Sequence, residues 1–389
     1  RMRGWVVYHG RWKQFSRKVT KDVMINKNGG VSWDFKLPIG NGLFAELTVA
    51  MEMVDGKNAI RVNVVRHGTD GRKQYLKDDL PLRIVLRPDI EDRNFHMDTK
   101  ASHGPEEHWP GLVKTNGKSI TFKAADDREL YMICNKGNFR ESHEWHYNIF
   151  CEKEASRGLE SHGDLFSPGM FEIDLIGGES ARLIAQVITA WESEKVDIIE
   201  GVDVAPLLKE ADNSVDKVLL RAMEKYVVKR DKLKTVIAGY PWFLDWGRDT
   251  LICVRGLIAA GMIDDVKSIL LQFAKYAENG TLPNIIHGES VGNRDTSDAP
   301  LWFFTACEDL CKLEGNHKFL DTVVDGGGKL IEVLESIVQG YIDGTPNHIK
   351  VDHSSHLVYS PSHFTWMDTN YPAGTPREGY PIEIQAFWF

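Results

Sequence analysis

The sequence predicts a multidomain β + α protein: an antiparallel β-sandwich followed by a ring of αα-hairpins. Three observations predict it. Up to about Ala190, apolar and polar residues alternate with period two. After about Asn213 the apolar period becomes 3.6. The helical part is broken by long loops rich in Trp, Arg and Asp. Each loop precedes a helix in the same sense, so the loops can gather at one end of the ring and line a pocket.

The strands come first. Leu43, Ala45, Leu47, Val49, Met51 and Met53 alternate with Glu46, Thr48 and Glu52, and Ile60, Val62 and Val64 alternate with Arg61 and Asn63. Alternation of this kind means one buried and one wet face. Turn signals at Asn28-Gly29-Gly30, Asp55-Gly56, Asn116-Gly117 and Gly177-Gly178 punctuate the runs. The reading is roughly ten strands in residues 1–190. Tyr147 to Gly169 carries Glu152, Glu154, Arg157, Glu160 and Asp164, more charge than a buried strand tolerates. It reads as a loop, either leaning on the next domain or simply solvated. His143 and His146 lack a third ligand and are not read as a metal site. Residues 191–212 are polar, then irregular, and read as a linker.

The helices follow in residues 213–389. Asn213 or Ser214 caps the first, which carries Val215, Val218, Leu219, Met223, Tyr226 and Val227. The stretch AGYPWFLDWGRDTLICVRG, residues 238–256, opens the second, with Asp249 or Thr250 as its cap and Gly261 at its end. Ile263, Val266, Ile269, Leu270, Phe273 and Ala277 mark the third, making an αα-hairpin with the second. After the loop Thr281–Ser297, Ser297 or Asp298 caps a helix that runs through Trp302, Phe303, Ala306 and Leu310 to about Gly315. Another covers Leu330–Gln339. A hairpin-like piece lies at Ile349–Tyr359, a loop at Ser360–Gly379, and one more helix begins at Tyr380.

Composition narrows the function classes. A formal charge of −9 argues against a nucleic-acid or anionic-membrane partner and suits a neutral or cationic ligand. Eleven Trp favour stacking on a flat one. The five Cys are dispersed, and Cys307 and Cys311 have no second pair to complete a metal site. They read as reduced thiols of a cytoplasmic protein. No apolar run is long enough to span a membrane. GxSxG, P-loop, HExxH and GxGxxG motifs are absent, so no cofactor or metal is expected.

Three loops carry polar–aromatic clusters: Trp246, Arg248 and Asp249; Asn293, Arg294, Asp295 and Asp298, then Trp302; and Thr365, Trp366, Met367 and Asp368, then Arg377, Glu378 and Glu383. Aromatic plates beside acids and a guanidinium suit a sugar, whose apolar ring faces stack and whose hydroxyls bond to charge. Glycosidic hydrolysis needs one carboxyl to protonate the leaving oxygen and another to attack or to activate water. An apolar wall of Trp366 and Met367 would keep Asp368 protonated, making it the candidate general acid. Asp249 and Asp298 sit at helix starts, which favour ionised carboxylates and hence hydroxyl-binding acceptors. The plainer reading of both is N-capping.

At these loops the sequence resembles the glycogen debranching enzyme family, in its amylo-α-1,6-glucosidase domain. The carrying segments are AGYPWFLDWGRDT (238–250), TLPNII with NRDTSDAPLWFF (281–304), and HFTWMDT with GTPREGYPIEIQAFWF (363–389). RGLESHGDLFSPG (157–169) resembles the β-rich domain that precedes the barrel in prokaryotic members. The resemblance implies an (α/α)6 toroid after the sandwich, and removal of α-1,6-linked glucose at branch points of glycogen or limit dextrin, with inversion. It matches Asp368 to the general acid. It matches Trp246, Arg248, Asp249, Asp298 and Trp366 to the glucose subsite, and Arg377, Glu378 and Glu383 to the loop and helix behind the acid. It implies an α-glucan partner, sets no oligomeric state, and matches no segment here to a general base or to a transferase domain. Only about the first half of the toroid's helices are counted, so the barrel at 213–389 is expected to be incomplete, open and inactive alone. Two other functions remain: a glucoamylase- or trehalase-like hydrolase on the same fold, and a non-catalytic carbohydrate-binding protein.

Overall fold

The computed structural model describes residues 1–25, 29–94, 97–190, 192–198, 214–240, 242–286, 291–369 and 374–389. The chain divides into two compact units, Arg1–Asn213 and Ser214–Phe389.

The first unit is built from β1 (Met2–Tyr8), β2 (Arg11–Gln14), β3 (Thr20–Ile25), β4 (Val31–Gly40), β5 (Leu43–Met53), β6 (Ala59–Arg66) and β7 (Leu82–Pro88), then β8 (Val113–Asn116), β9 (Ser119–Ala125), β10 (Arg128–Cys134), β11 (Asn138–Phe150), β12 (His162–Leu175) and β13 (Ser180–Thr189). They form a five-stranded sheet, β11-β12-β7-β1-β2, and an eight-stranded one, β3-β4-β5-β6-β13-β10-β9-β8. Every pairing between these strands is antiparallel. One core joins the sheets: Val6, Ile84, Leu86, Phe171 and Ile173 from the smaller pack with Leu37, Leu47, Val64 and Leu183 from the larger. Two short helices, α1 (His103–His108) and α2 (Glu152–Ser156), interrupt the strands.

Two expectations change here. The alternation in β5 holds at Ala45 and Leu47, which are buried, and fades at Val49; Met51 and Met53 are exposed while Glu52 is buried. Part of the larger sheet's opposite face is covered as well. Residues 192–198, expected in the linker, lie along that face. Gln186 Nε2 donates to Glu194 O at 2.9 Å, and Val196 N donates to Gln186 Oε1 at 2.9 Å. Glu52 accepts from Arg61 Nη1 at 3.0 Å, so its charge is buried with a partner. Residues 191 and 199–212 of the expected linker lie outside the described residues. The second change concerns Tyr147–Gly169, which is not a loop. It is the end of β11, α2 and the start of β12. Its charges sit on α2, at the turn and on Asp164 of β12; Glu160 Oε1 accepts from the backbone N–H of Ser161 and His162, whereas Leu165 and Phe166 are buried.

The second unit contains α3 (Val215–Tyr226), the hairpin β14 (Val227–Arg230) and β15 (Leu233–Val236), β16 (Asp245–Trp246), α4 (Gly247–Ala259), α5 (Ile263–Ala274), β17 (Ile285–Ile286), α6 (Ala299–Glu314), α7 (Leu330–Asp343), β18 (Lys350–Val351), β19 (Val358–Tyr359) and α8 (Ile382–Trp388). A helical core holds it together, with Leu251, Val254 and Leu257 of α4, Val266, Ile269, Leu270 and Phe273 of α5, Phe303, Ala306 and Leu310 of α6, and Ile337 and Tyr341 of α7. These are the apolar positions at 3.6 spacing. Gly261, at φ +77°, ends α4 in the left-handed region that a side chain would resist. Among the described residues no helix is long and apolar enough to cross a membrane.

Candidate active site

The site forms where short strand pairing delivers a helix start. Asp245 and Trp246 pair with Ile286 and Ile285, and Gly247 N continues the pairing onto Asn284 O at 2.9 Å. The chain passes directly from this strand into α4. The helix therefore starts at Gly247, with Trp246 in the N-cap position. Neither Asp249 nor Thr250 is the cap expected from the sequence; Thr250 Oγ1 donates instead to Val236 O at 3.3 Å. The close approach requires glycine. A Cβ on Gly247 would lie 2.3 Å from Pro283 O, a backbone atom. Gly247→Ala is expected to force the two strands apart, shift Arg248, and lower the unfolding midpoint measurably by calorimetry; an unchanged midpoint would show that the pairing yields freely.

Arg248, in the first turn of α4, is buried and joins three loops. Its Nε and Nη2 donate to the two oxygens of Asp298, at 2.6 and 2.9 Å. Nη2 also donates to Thr365 O at 2.7 Å, and Nη1 donates to Asp368 Oδ2 at 3.2 Å. Burial works against the guanidinium's charge, but Asp298 first and then Asp368 hold its pKa above the ordinary value. Asp298 does occupy the N-cap position of α6, yet its side chain makes no capping bond. Thr296 does that work: its hydroxyl accepts from Ala299 N at 3.3 Å and donates to Asp298 Oδ1 at 2.9 Å.

Asp368 is partly exposed. The apolar wall expected beside it is not there, since Trp366 is 58% exposed and lies near Glu383. What stands against Asp368 is the Arg248 cation. Asp249 is exposed, but its carboxyl is pushed above the ordinary aspartate value. Desolvation by the surrounding chain is the largest cause, and Asp368 and Asp298 add to it. That is the reverse of what its place at a helix start implied.

The remaining expected residues support the loops. Arg377 Nε donates to Glu383 Oε1 at 2.5 Å, with a second ion-pair contact from Nη2. Glu378 is exposed and accepts from Tyr359 Oη at 2.8 Å. Arg294 binds Tyr276 O at 2.9 Å and Thr281 Oγ1 at 3.1 Å, bracing its own loop. Trp302 packs on Phe387, with ring centroids 4.4 Å apart. Among the described residues, no group of three His, Cys, Asp or Glu could hold a metal ion.

Burial opposes ionisation of Glu383, but its ion pair with Arg377 holds the carboxyl below the ordinary glutamate value. A depressed folded-state pKa stabilises above the unfolded value and is lost as pH falls through the folded one. Acidification below the ordinary glutamate range should therefore loosen the 374–383 segment. Glu383→Gln should remove that acid-side loss and leave a shallower stability–pH curve; an unaltered curve would take Glu383 out of it.

Sequence reasoning missed Thr296 and Ser360, and it placed Thr365 only in the third cluster and Ser297 only as a possible cap. Ser297 Oγ and Ser360 Oγ lie 2.8 Å apart, Ser297 N donates to Phe364 O at 2.7 Å, and Tyr341 Oη donates to Ser297 O at 2.9 Å. These buried contacts staple the second loop to the third. The hydroxyls preceding the α6 start were the one available signal.

Arg248 thus gathers Asp298 and Asp368 from two other loops beside its own neighbour Asp249, in a helical unit of a chain that also has a β-rich unit. The family model described as amylo-alpha-1,6-glucosidase matches residues 221–389, and the glycogen debranching enzyme N terminal model matches residues 31–182. The chain belongs to the glycogen debranching enzyme family. A glycogen debranching enzyme of Saccharomyces cerevisiae (strain ATCC 204508 / S288c) is 25% identical over 218 residues, covering 41% of this chain and 14% of that protein. Among solved structures, one named "Putative kojibiose phosphorylase from human microbiome" aligns over 92% of this chain and 50% of its own, at 11% identity and a TM-score of 0.48. The chain thus spans only part of the length of these relatives.

Proposed function

We propose that this chain carries the glucosidase site of a debranching enzyme, which removes α-1,6-linked glucose at branch points of glycogen or limit dextrin. The observation that carries this is Asp368 held at 3.2 Å by an arginine whose other donors are bound to Asp298 and the third loop. In this reading Asp368 protonates the glycosidic oxygen as the C1–O bond breaks. Water adds to C1 from the opposite face and gives its proton to a second carboxylate, with inversion. Asp249 faces the sugar hydroxyls, and Trp246 and the exposed Trp366 offer ring faces to the sugar. Arg377, Glu383 and Glu378 hold the loop behind the acid. The helical unit follows the (α/α)6 plan, and the five free thiols suit the cytoplasm.

The test is glucose release from phosphorylase limit dextrin by the full-length protein, beside maltose, trehalose and linear maltodextrin. Release from limit dextrin alone supports the reading. Release from maltodextrin or trehalose moves the activity to a glucoamylase- or trehalase-like hydrolase. Release from none, with glucan still bound, leaves a carbohydrate-binding protein.

A further inference from the structure

We infer that Arg248, fixed by Asp298 and Thr296, is a positioning residue for Asp368 and that this clamp, rather than a sugar contact, is the main work of Arg248 and Asp298. The inference rests on the glycosidase reading above. Both Asp298 oxygens are already engaged, Oδ2 by Arg248 Nε and Oδ1 by Arg248 Nη2 and the Thr296 hydroxyl. Asp298 is 3% exposed and so has little surface to offer a hydroxyl. Two parallel bonds from a planar fork to one carboxylate fix the guanidinium plane. The bond from Nη2 to the buried Thr365 carbonyl, at 2.7 Å, fixes it against the loop that bears Asp368.

With the fork so held, Nη1 has one direction, and it meets Asp368 Oδ2. Arg248 occupies that oxygen and leaves Oδ1 to carry the proton. The proton then moves from Oδ1 to the glycosidic oxygen as the C1–O bond breaks, and Arg248 keeps the resulting carboxylate in place. Thr296 sets this geometry without touching Asp368.

The experiment compares limit dextrin with α-D-glucosyl fluoride in the full-length protein. Fluoride leaves with little help from an acid, so a fault confined to Asp368 spares that substrate. Thr296→Val and Asp298→Asn loosen the clamp, and Arg248→Lys keeps the charge but loses the fork. All three are expected to lose at least about tenfold in kcat on limit dextrin, with KM within about twofold, while fluoride turnover stays within about threefold of wild type. Thr296→Ser, which keeps the hydroxyl, should restore dextrin turnover.

Equal losses on both substrates with raised KM would overturn the inference and return Arg248 and Asp298 to sugar binding. Unchanged dextrin turnover would overturn it as well. Equal losses that track a fall in unfolding midpoint would reduce the clamp to a fold support. Arg248→Lys decides the matter if the other variants fail to fold. A wild-type protein that hydrolyses neither substrate removes the glycosidase reading itself, an outcome separate from all of these.

Discussion

Asp368→Asn is expected to lower glucose release from limit dextrin by about three orders of magnitude, the range general acid catalysis supplies when leaving-group protonation limits the rate. The carboxamide has no proton of suitable acidity to give. It retains an oxygen to accept from Arg248 Nη1, which Asp368 Oδ2 does at 3.2 Å, so the loop need not move. Glucan affinity, measured by titration under conditions where turnover is negligible, should stay within about threefold of wild type, because the lost interaction belongs to the transition state. Turnover of α-glucosyl fluoride should fall far less than turnover of limit dextrin. Near-normal release from limit dextrin would take Asp368 out of the mechanism and leave the buried Arg248–Asp298 pair as a purely structural ion pair.

The two periodicities carried most of the fold. Buried Val254, Leu257, Ile269, Leu270, Phe303 and Leu310 were all legible at 3.6 spacing, because an amphipathic helix has to show its apolar stripe in sequence. Strands were less legible where both faces are covered. Glu52, Asn63 and Gln186 are buried polar residues on the outer face of the larger sheet; Arg61 and Arg182 bond the first two, residues 192–198 bond the third, and nothing local in the sequence announces that strap. Charge at Glu152, Glu154 and Glu160 was read as a loop across residues 147–169, whereas it marks only the turn between two long strands. At the site, residue types were legible and geometry was not. Trp366 and Met367 before Asp368 suggested an apolar wall, but Trp366 is largely exposed and lies near Glu383 instead. Asp249 and Thr250 suggested a cap. The strand pairing at 245–247, which depends on residues 284–286, moved the helix start three residues ahead of Thr250. Thr296 is uncharged among charged neighbours, and Ser297 was legible only as a possible cap rather than as the partner of Ser360.

The largest stability effect is expected in the first unit, at Arg66. This residue closes β6 and is 1% exposed, the largest fully buried side chain among the described residues. Its guanidinium donates to four backbone carbonyls: Nη1 to Leu80 at 2.5 Å and Leu175 at 2.8 Å, and Nη2 to Lys77 at 2.9 Å and Leu76 at 3.2 Å. One side chain thereby ties the segment 76–80 to the end of β12. Burial is the dominant influence on Arg66 and draws its pKa below the ordinary arginine value, against the pull of Asp78. Arg66→Met would fill much of the space but leave those carbonyls without donors. Each buried unsatisfied group costs about 1–3 kcal/mol, although carbonyls in an exposed loop recover part of that by hydration. With Lys77 and Leu80 exposed, the lower end applies to the loop carbonyls. We expect a loss of about 4 kcal/mol, within the range seen when a buried charge network is broken. Urea unfolding of the chain should show it as a fall in the first unit's midpoint. Amide exchange should quicken specifically in peptides covering 76–88 and 171–175. Arg66→Lys keeps a charge but only part of the fork, and should lose about half as much. A loss below about 1 kcal/mol for Arg66→Met would mean that the carbonyls find water without strain. The buried arginine would then be incidental to the sandwich.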